Sequence, residues 1–337
     1  MKINTKFWII VCVGSLLIII TNFYSLNKPQ KYIIKRNFEN SKFKIEKVLD
    51  LNGNVVLSDK ENILQFTLEN EDNKFVMKGN LTNLLTKNNK KVISEIPSIP
   101  LFLSGEKIFF KSKFKIGYTS IFQKNEPTYF NIPNFKVINM FPVDDKSHIL
   151  IALGEQKTQE KYITGFYIID LVTLKTKTLK AISSSNYSKV AQNNMIYQGN
   201  FSQDEKNIIY NFDKISKIFI FDKMGHLKSV IATKENVPTP KLTKEIRQND
   251  TLFLYKRGET FSTNIGSAIS DDTINVFSSR VKGEEVIIDK YLIPTQKYIT
   301  SSRAKFMGKS NQNINYVFSH QGKIYIVFDN KLTSVSH

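Results

Sequence analysis

Apolar and polar positions divide the chain into two unequal parts. Residues 7–27 carry no charge, and the apolar run from Phe7 to Tyr24 would reach roughly 27 Å as a helix, close to the ~30 Å hydrocarbon core of a bilayer. From Ile45 onward, apolar and polar positions alternate in short runs, which is typical of β-strands that bury one face. The pattern therefore predicts one transmembrane helix over residues 7–24, followed by a large all-β region.

The apolar run could instead belong to a cleaved signal peptide, because Lys2 and Lys6 precede it as a basic start. The residues that follow it argue against cleavage. Bulky Phe23 and Tyr24 stand where signal peptidase needs small side chains. We therefore expect an uncleaved signal anchor over residues 7–24.

A lipid anchor is not expected either. The only cysteine, Cys12, follows bulky Val11, where a lipoprotein signal needs a small residue, so we expect Cys12 to face lipid. Because no cysteine follows it, the region after the anchor has neither disulfides nor thiolate metal ligands.

Residues 1–6, before the anchor, are predicted to form a short cytoplasmic tail. Residues 25–44, after the anchor, are polar and basic, and the sequence predicts that they form a stalk. The cations of the stalk favour a cytoplasmic domain by the positive-inside rule, but large domains translocate largely regardless of charge. We therefore expect a single-pass protein of the inner (cytoplasmic) membrane, with its large domain in the periplasm or outside the cell.

Composition limits the partners. The chain of 337 residues has a formal charge of +18, so it attracts anions. Its basic residues are scattered along predicted strands and loops, with no basic helix and no zinc-finger spacing. We expect no specific nucleic-acid binding, whereas loose attraction to acidic envelope polymers or lipid headgroups is an open alternative.

Four segments share a pattern of two apolar runs joined by a polar turn. The turns contain Asn52-Gly53, Asp170, Asp222 with Gly225, and Gly322. Such turns between apolar runs predict β-hairpins. Asp170 and Asp222 are 52 positions apart, a spacing that suits one four-stranded unit per repeat.

Helical patterns are nearly absent, the best being Asn80–Leu85 and Pro240–Ile246. Strand-rich units of roughly 40 to 55 residues divide the region 45–337 into six, which predicts a β-propeller of six four-stranded blades. Five or seven blades and a pair of β-sandwiches are the alternatives. Closing the ring requires the final strands, 323–328 and 332–335, to pair with a strand from the N-terminal side.

Two segments carry a family resemblance: Gly199 to Gly225, with its Asp204 turn and the strand Ile218-Phe-Ile-Phe-Asp222, and the end of the chain from Tyr298 to Leu332. They resemble the six-bladed, TolB-like β-propeller proteins of the Bacteroidetes cell envelope. The resemblance implies a binding or scaffolding module whose function lies in loops on one face of the ring. It supplies no catalytic motif.

A search for chemistry is mostly negative. No G-x-S-x-G elbow occurs, and Gly308-Lys309-Ser310 lacks the first glycine of a phosphate-binding loop. The four histidines lie far apart, and three acidic groups lack EF-hand spacing: residues 69–73, 144–145 and 271–272. We therefore expect no catalytic residue, no metal and no cofactor.

One candidate site stands out. Three of the five arginines fall within 47 residues near predicted strand ends, and a tyrosine accompanies one of them. Arginine binds carboxylate or phosphate through two parallel hydrogen bonds, so loops of adjacent blades could form an anion pocket. The predicted ligand-binding residues are Tyr255, Arg257, Arg280 and Arg303. The alternative is that they are ordinary surface cations.

These observations leave two function classes. The first is a non-enzymatic, membrane-anchored propeller that binds a protein, a peptide or an envelope glycan. The second is a propeller enzyme or electron-transfer partner that resembles the heavy chains of quinoprotein amine dehydrogenases. Titratable residues with shifted pKa values that converge on the ring axis would favour the enzyme, and an apolar, aromatic-rimmed loop face would favour the binder. We favour the binder.

Overall fold

The computed structural model describes residues 34–336, except residues 43, 51–54, 60, 72–73, 99, 113–114, 123–125, 145, 248–249, 283–284, 306–313, 321–322 and 329–330. In the described part of the chain, no helix has the length and apolar character needed to cross a bilayer. The predicted tail (1–6), anchor (7–24) and first part of the stalk lie outside the described residues.

Six sheets form the blades in the described part of the chain: five have four strands, and one has five. The first two strands are β1 (Phe38–Lys42) and β2 (Lys44–Asp50). Blade 1 contains β3 (Val55–Ser58), β4 (Asn62–Glu71), β5 (Lys74–Asn83) and β6 (Asn89–Ile96). Blade 2 contains β7 (Pro100–Ser104), β8 (Lys107–Ser112), β9 (Lys115–Ser120) and β10 (Thr128–Asn131), and blade 3 contains β11 (Phe135–Pro142), β12 (Ile149–Lys157), β13 (Tyr162–Asp170) and β14 (Lys175–Ser185).

A short helix, α1 (Val190–Ile196), leads into blade 4, which contains β15 (Gly199–Gln203), β16 (Asn207–Phe212), β17 (Lys217–Asp222) and β18 (Leu227–Ala232). A separate hairpin of β19 (Leu242–Arg247) and β20 (Asp250–Tyr255) follows. Blade 5 contains β21 (Asn264–Ser270), β22 (Thr273–Lys282), β23 (Glu285–Leu292) and β24 (Lys297–Lys305), and blade 6 begins with β25 (Ile314–His320), β26 (Lys323–Phe328) and β27 (Lys331–Ser336).

The ring closes through the N-terminal part of the chain. Strand β2 pairs antiparallel with β27 and becomes the fourth strand of blade 6. This confirms that the final strands pair with an N-terminal strand. Strand β1 adds to β24 in parallel as a fifth strand of blade 5. The structure thus places part of the segment for which a stalk was expected, residues 25–44, on the propeller itself.

Each contact between neighbouring blades has its own apolar core. Six clusters join blades 1 and 2, 2 and 3, 3 and 4, 4 and 5, 5 and 6, and 6 and 1. The last cluster contains Val56 and Ile63 of blade 1 with Phe318 and Leu332 of blade 6. Because every blade buries both of its faces against neighbours, the fold is a closed six-bladed propeller rather than a pair of sandwiches.

Three of the four predicted hairpins are confirmed, since β13–β14, β17–β18 and β25–β26 are antiparallel pairs. The predicted hairpin across Asn52-Gly53 is wrong. Strand β2 pairs with β27 and β3 pairs with β4, so the two strands belong to different blades. An apolar-turn-apolar pattern is the same whether a turn closes a hairpin or connects two blades.

Neither of the two weak helical patterns forms a helix, because residues 80–83 belong to β5 and residues 242–246 to β19. The helix that does form, α1, was not predicted. Blade 3 holds it: Glu155 Oε2 accepts the backbone N–H of Lys189 at 2.9 Å, and Asn193 Nδ2 donates to Thr164 Oγ1 at 2.7 Å. These contacts stabilise a segment whose own helical pattern is weak.

Candidate functional site

The first strand of each blade borders the ring axis. Strands β3, β7, β11, β15, β21 and β25 contact one another in that order. Each of them ends at a turn that leads into the second strand of its blade. The turns of all six blades therefore meet at one end of the axis, and this end is the candidate site.

A cavity of about 890 Å³ opens at this end of the axis, and we call it the axial cavity. Its volume lies within the ~300–1,000 Å³ range of small-ligand sites. Five blades line it, through residues Ser58, Asp59, Glu61, Leu85, Phe141, Phe201, Ser202, Gln203, Asp204, Glu205, Lys206, Lys223, Ile269, Ser270, Asp271, Asp272, Tyr316, Phe318 and Ser319.

Aromatic rings form the apolar part of this lining. Phe141 and Phe201 stack with their ring centroids 5.7 Å apart, and Tyr316 stacks on Phe318 at 5.6 Å. The Tyr316 phenol hydrogen-bonds to the Ser58 side chain, which joins blade 6 to blade 1, and burial raises the pKa of Tyr316. Rings held in this way offer a pre-formed apolar surface.

Carboxylates dominate the polar part of the lining. Six acidic side chains and two lysines border the cavity, a formal charge of −4 in a protein of net charge +18. The acidic residues are Asp59, Glu61, Asp204, Glu205, Asp271 and Asp272, and the lysines are Lys206 and Lys223. A cleft of one sign concentrates ligands of the opposite charge, so the cavity favours cationic groups.

A repeated turn places two of these carboxylates. Asp59 Oδ1 accepts the backbone N–H groups of Glu61 at 2.8 Å and of Asn62 at 2.7 Å. In blade 4, Asp204 Oδ1 accepts those of the residues two and three positions later at 2.8 and 2.6 Å. Both turns read Asp-x-x-Asn-Ile, at residues 59–63 and 204–208. The first aspartate of each turn is fixed by its own backbone.

Asp271 and Asp272 reach the cavity through a different turn. Ser270 pairs directly with Thr273, so the two aspartates form a two-residue hairpin loop with φ angles of 48° and 58°. Positive φ at both positions is the geometry of a type I′ turn, in which aspartate is tolerated but Asn-Gly is preferred. Lys206 Nζ lies 3.9 Å from Asp272 Oδ1 across the gap between blades 4 and 5.

Hydrogen bonds between the turns hold the mouth of the cavity together. Asp59 Oδ2 accepts the N–H of Gly105 in blade 2 at 2.9 Å. Ser319 Oγ in blade 6 donates to the carbonyl oxygen of Gln203 in blade 4 at 3.0 Å. One cavity atom has no such bond: the buried Ser202 Oγ finds no hydrogen-bond partner within the described structure. A bound ligand could supply one.

The residues of the predicted anion pocket lie elsewhere. Tyr255 and Arg257 lie at the end of β20, and the Tyr255 hydroxyl donates to Met195 O at 2.8 Å. Arg303 lies on β24, where it bonds to Glu285 at 3.2 Å and stacks on the Phe38 ring at 4.4 Å. Arg280 belongs to β22, and its side chain is outside the described part. A pocket that joins all four residues stays a prediction, and no member of the set lines the axial cavity.

The opposite end of the axis carries one carboxyl with a shifted pKa. Asp213 follows β16, and its carbonyl oxygen accepts the N–H of Thr263 at 2.7 Å, just before β21 begins. Burial raises the pKa of Asp213 to about 6, against the opposing charge of Lys214. This carboxyl also contributes, after burial, to the raised pKa of Tyr255.

Among the described residues, no group of three or more His, Cys, Asp or Glu side chains is arranged to hold a metal ion. From the sequence, Asp271-Asp272 was noted only as an acidic group without EF-hand spacing, and the axial cavity was not predicted. One signal could have found part of it: the recurrence of Asp-x-x-Asn-Ile at 59–63 and 204–208 marks equivalent turns of two blades. The rest of the lining comes together only in the closed ring.

No family model matches the chain. Its sequence matches none of the curated proteins. Similar solved structures include the β-propeller domain of Myceliophteria thermophila Cps50 (Swd1), at 9% identity and a TM-score of 0.43, covering 88% of this chain and 99% of that chain. A DUF4221 family member from Bacteroides vulgatus is similar at 13% identity and 0.43, covering 89% and 98%. Regucalcin, a calcium-binding protein from Agrobacterium tumefaciens, is similar at 12% identity and 0.41, covering 87% and 93%. At such identities the likeness concerns the fold, which the strand order already establishes.

Proposed function

We propose that the protein is a non-enzymatic binding module, tethered to the membrane by residues 7–24, whose axial cavity holds a segment of a partner protein or peptide. The axial cavity carries this proposal, because it combines stacked aromatic rings with an acidic rim at one end of a closed propeller. The envelope location and membership of the TolB-like propellers are parts of the same proposal.

The lining indicates the chemistry of the ligand. The stacked rings favour apolar or aromatic groups, and the formal charge of −4 favours lysine or arginine over acidic side chains. Guanidinium and ammonium groups also bind to aromatic faces. A protein segment that carries both apolar and basic side chains satisfies the whole cavity. A neutral glycan would stack on the aromatic rings but would not neutralise the charge of the acidic rim.

An enzymatic function has less support. No histidine or cysteine is among the residues that line the cavity, so it holds neither the Ser-His nor the Cys-His pair of nucleophilic catalysis. The carboxyl with the raised pKa, Asp213, lies at the other end of the axis. The quinoprotein-like alternative has no specific observation in its favour.

Site-specific photocrosslinking tests the proposal. A photoreactive phenylalanine analogue replaces Tyr316 in the cavity or, as the control, exposed Tyr129 on the outer strand of blade 2. After irradiation of native membranes, we expect a discrete protein adduct from position 316 and none from 129. Equal adducts at both positions, or none at 316, would contradict a ligand in the cavity.

Two companion measurements complete the test. Protease accessibility of a C-terminal tag in spheroplasts checks the side of the membrane, where cleavage of the tag is expected. A Tyr316 variant that captures glycan but no protein would overturn the ligand class while keeping the site. A tag protected in intact spheroplasts would overturn the location alone.

A further inference from the structure

The hairpin of β19 and β20 stands apart from the propeller. Its two strands form a sheet of their own between blades 4 and 5 and pair with no other strand of the described structure. An isolated two-stranded hairpin is at best marginally stable in water. The hairpin nevertheless exposes aliphatic side chains: Ile246 is 69% exposed, Leu252 40% and Leu254 45%.

These aliphatic side chains point to both faces of the hairpin. Ile246 lies opposite Thr251, whereas Leu252 lies opposite Glu245 and Leu254 opposite Thr243. Because opposite residues share a face and successive residues alternate, Ile246 occupies one face and the two leucines the other. A flat protein partner would cover only one of these faces. A medium that surrounds the hairpin would cover both.

The base of the hairpin is held to the propeller. The Tyr255 hydroxyl donates to Met195 O in α1 at 2.8 Å, and the N–H of Lys256 donates to Lys241 O at 2.8 Å. Glu259 beside them bonds to Lys241 at 2.8 Å and also pairs with Lys256. The contacts fix the direction in which the hairpin leaves the ring, and the exposed aliphatic side chains lie beyond them.

The base of the hairpin carries a positive charge that favours an anionic medium. Residues 241–260 contain five basic and three acidic side chains, a formal charge of +2. The hairpin itself, residues 242–255, has two of each, so the excess comes from Lys241, Lys256 and Arg257 at the base, where headgroups would lie. Glu259 is already paired at the base, and in the sequence exposed Lys244 lies two positions before Ile246 and Arg247 one position after it. Basic residues next to exposed aliphatic ones are typical of segments that bind the interface of anionic membranes.

The path of the N-terminal segment points to the same surface. Arg36 bonds to Glu235, seven positions before β19 begins, so the chain that leads from the apolar run 7–24 joins the propeller at the same inter-blade connection that carries this hairpin. The connection from blade 4 enters the start of β21, whereas the turn at its other end, Asp271-Asp272, borders the axial cavity. The connection that carries the hairpin and the cavity thus lie at opposite ends of one seven-residue strand, which is about 20 Å long.

We propose that the β19–β20 hairpin inserts Ile246, Leu252 and Leu254 into the interfacial layer of a bilayer with anionic headgroups. The membrane then covers one end of the propeller, and the axial cavity faces away from it. The inference rests in part on the proposed membrane tether, so its test must report on the hairpin itself.

The test uses the full chain with Cys12→Ser, so that a new cysteine is the only one. An environment-sensitive fluorophore is attached at Thr251→Cys on the hairpin or, as the control, at Val172→Cys, which is 72% exposed in the turn between β13 and β14. The protein is reconstituted in vesicles of phosphatidylcholine alone or with phosphatidylglycerol. We expect emission at position 251 to shift to shorter wavelength with phosphatidylglycerol, and to be quenched by nitroxide-labelled lipid. Position 172 should report water in both vesicles.

A second variant, Ile246→Ser with Leu252→Ser and Leu254→Ser, should abolish the shift while leaving the unfolding midpoint nearly unchanged, because these side chains are exposed. A label at 251 that reports water while the chain resists alkaline extraction overturns the inference and leaves the tether intact. A shift that follows protein concentration without lipid indicates a second copy of the chain and also overturns it. A lipid-dependent shift in a chain that alkali extracts supports the hairpin and contradicts the tether.

Discussion

Arg36 and Asp289 are 253 positions apart in the chain and form a two-point ion pair. Arg36 Nε lies 2.8 Å from Asp289 Oδ1, and Nη2 lies 2.9 Å from Oδ2. Glu235 also accepts from Nη2, and the three side chains are at most 5% exposed. Burial alone would lower the pKa of Arg36, but the hydrogen bonds and charges of Asp289 and Glu235 outweigh it and raise that pKa. One arginine thus attaches the N-terminal segment to blade 5 and to the connection after blade 4.

Replacing this arginine removes the cation that pairs with two buried carboxylates. Arg36→Met should lower the free energy of unfolding by about 3–5 kcal/mol, because breaking a buried ion pair from one side exposes the full desolvation cost of the remaining charges. Exposed Lys35→Met is the matched control, for which we expect a change within about 0.5 kcal/mol. Urea unfolding measures both. Equal effects of the two substitutions would show that the pair adds no stability.

The closure of the ring depends on the last two strands. Deleting residues 323–337 removes β26 and β27, and with them the partners of β25 and β2. Such a chain should fail to unfold cooperatively, whereas removal of His337 alone should have no effect. A milder version is Leu332→Ala, which empties a fully buried site between blades 6 and 1 and should cost about 2–5 kcal/mol. A cooperative transition in the truncated chain would contradict closure by β27.

The sequence predicts local features of this fold better than distant ones. The turn at Asp222 and Gly225 could be predicted because all its determinants lie within ten residues, and Gly225 has the expected positive φ of 80°. The sequence also predicted that the final strands close the ring by pairing with an N-terminal strand. The pairing of β2 could not be distinguished from a hairpin, because its partner β27 is nearly 300 residues away.

The candidate site could not be predicted for the same reason, since its residues are distant in the sequence. The bond of Arg36 to Asp289 and the assembly of the axial cavity from five blades depend on ring closure, which brings distant residues together. A basic residue in a polar segment gives no sign of its buried partners, so residues 25–44 resembled a solvated stalk. The predicted set of Tyr255 and three arginines was based on sequence proximity. Arg303, however, lies on the outer strands of blade 5 with Glu285 and Phe38 as its partners.

Alanine substitutions at two glycines with positive φ distinguish the cost of backbone strain from the cost of a steric clash. Gly105 has a φ of 56° and open space around a built Cβ, whereas at Gly225 a Cβ would lie 2.3 Å from Ile168 Cδ1. Gly105→Ala should cost about 1 kcal/mol from the left-handed backbone alone. Gly225→Ala should cost about 1–2 kcal/mol more, since Ile168 must also move. Chemical denaturation compares them, and Gly225→Ala with Ile168→Ala should recover part of the difference.

The raised pKa of Asp213 makes stability depend on pH. Its pKa is about 6 in the folded protein and about 4 in an unfolded chain, so between these values the folded state binds more protons. The stabilising contribution of Asp213 is present below pH 4 and is lost as the pH rises through 6. Asp213→Asn should therefore raise stability at pH 7 by about 1–2 kcal/mol, after allowance for partial exposure, and should change little at pH 4. A gain that is equal at both pH values would contradict the shift.

Substitutions in the Asp271-Asp272 turn should change stability and ligand binding at the axial cavity in opposite directions. Its two residues have positive φ, which favours Asn-Gly over Asp-Asp, and both carboxylates border the cavity. Asp271→Asn with Asp272→Gly should raise the free energy of unfolding by about 0.5–1 kcal/mol, because glycine adopts this geometry without strain. The same variant removes two of the six acidic side chains of the lining, so its photocrosslinked adduct from position 316 should weaken.

A companion variant shows whether the stability gain comes from the glycine and the weaker crosslinking from the lost carboxylates. Asp271→Asn with Asp272→Asn removes the charges but keeps two residues that tolerate positive φ, so we expect weaker crosslinking with nearly unchanged stability. The exposed contact of Lys206 with Asp272, at 3.9 Å, is too loose to contribute measurably. If both variants retain full crosslinking, the two carboxylates of this turn do not recognise the partner. The aromatic surface of Phe141, Phe201 and Phe318 would then remain as the binding element, because an apolar ligand needs no carboxylate.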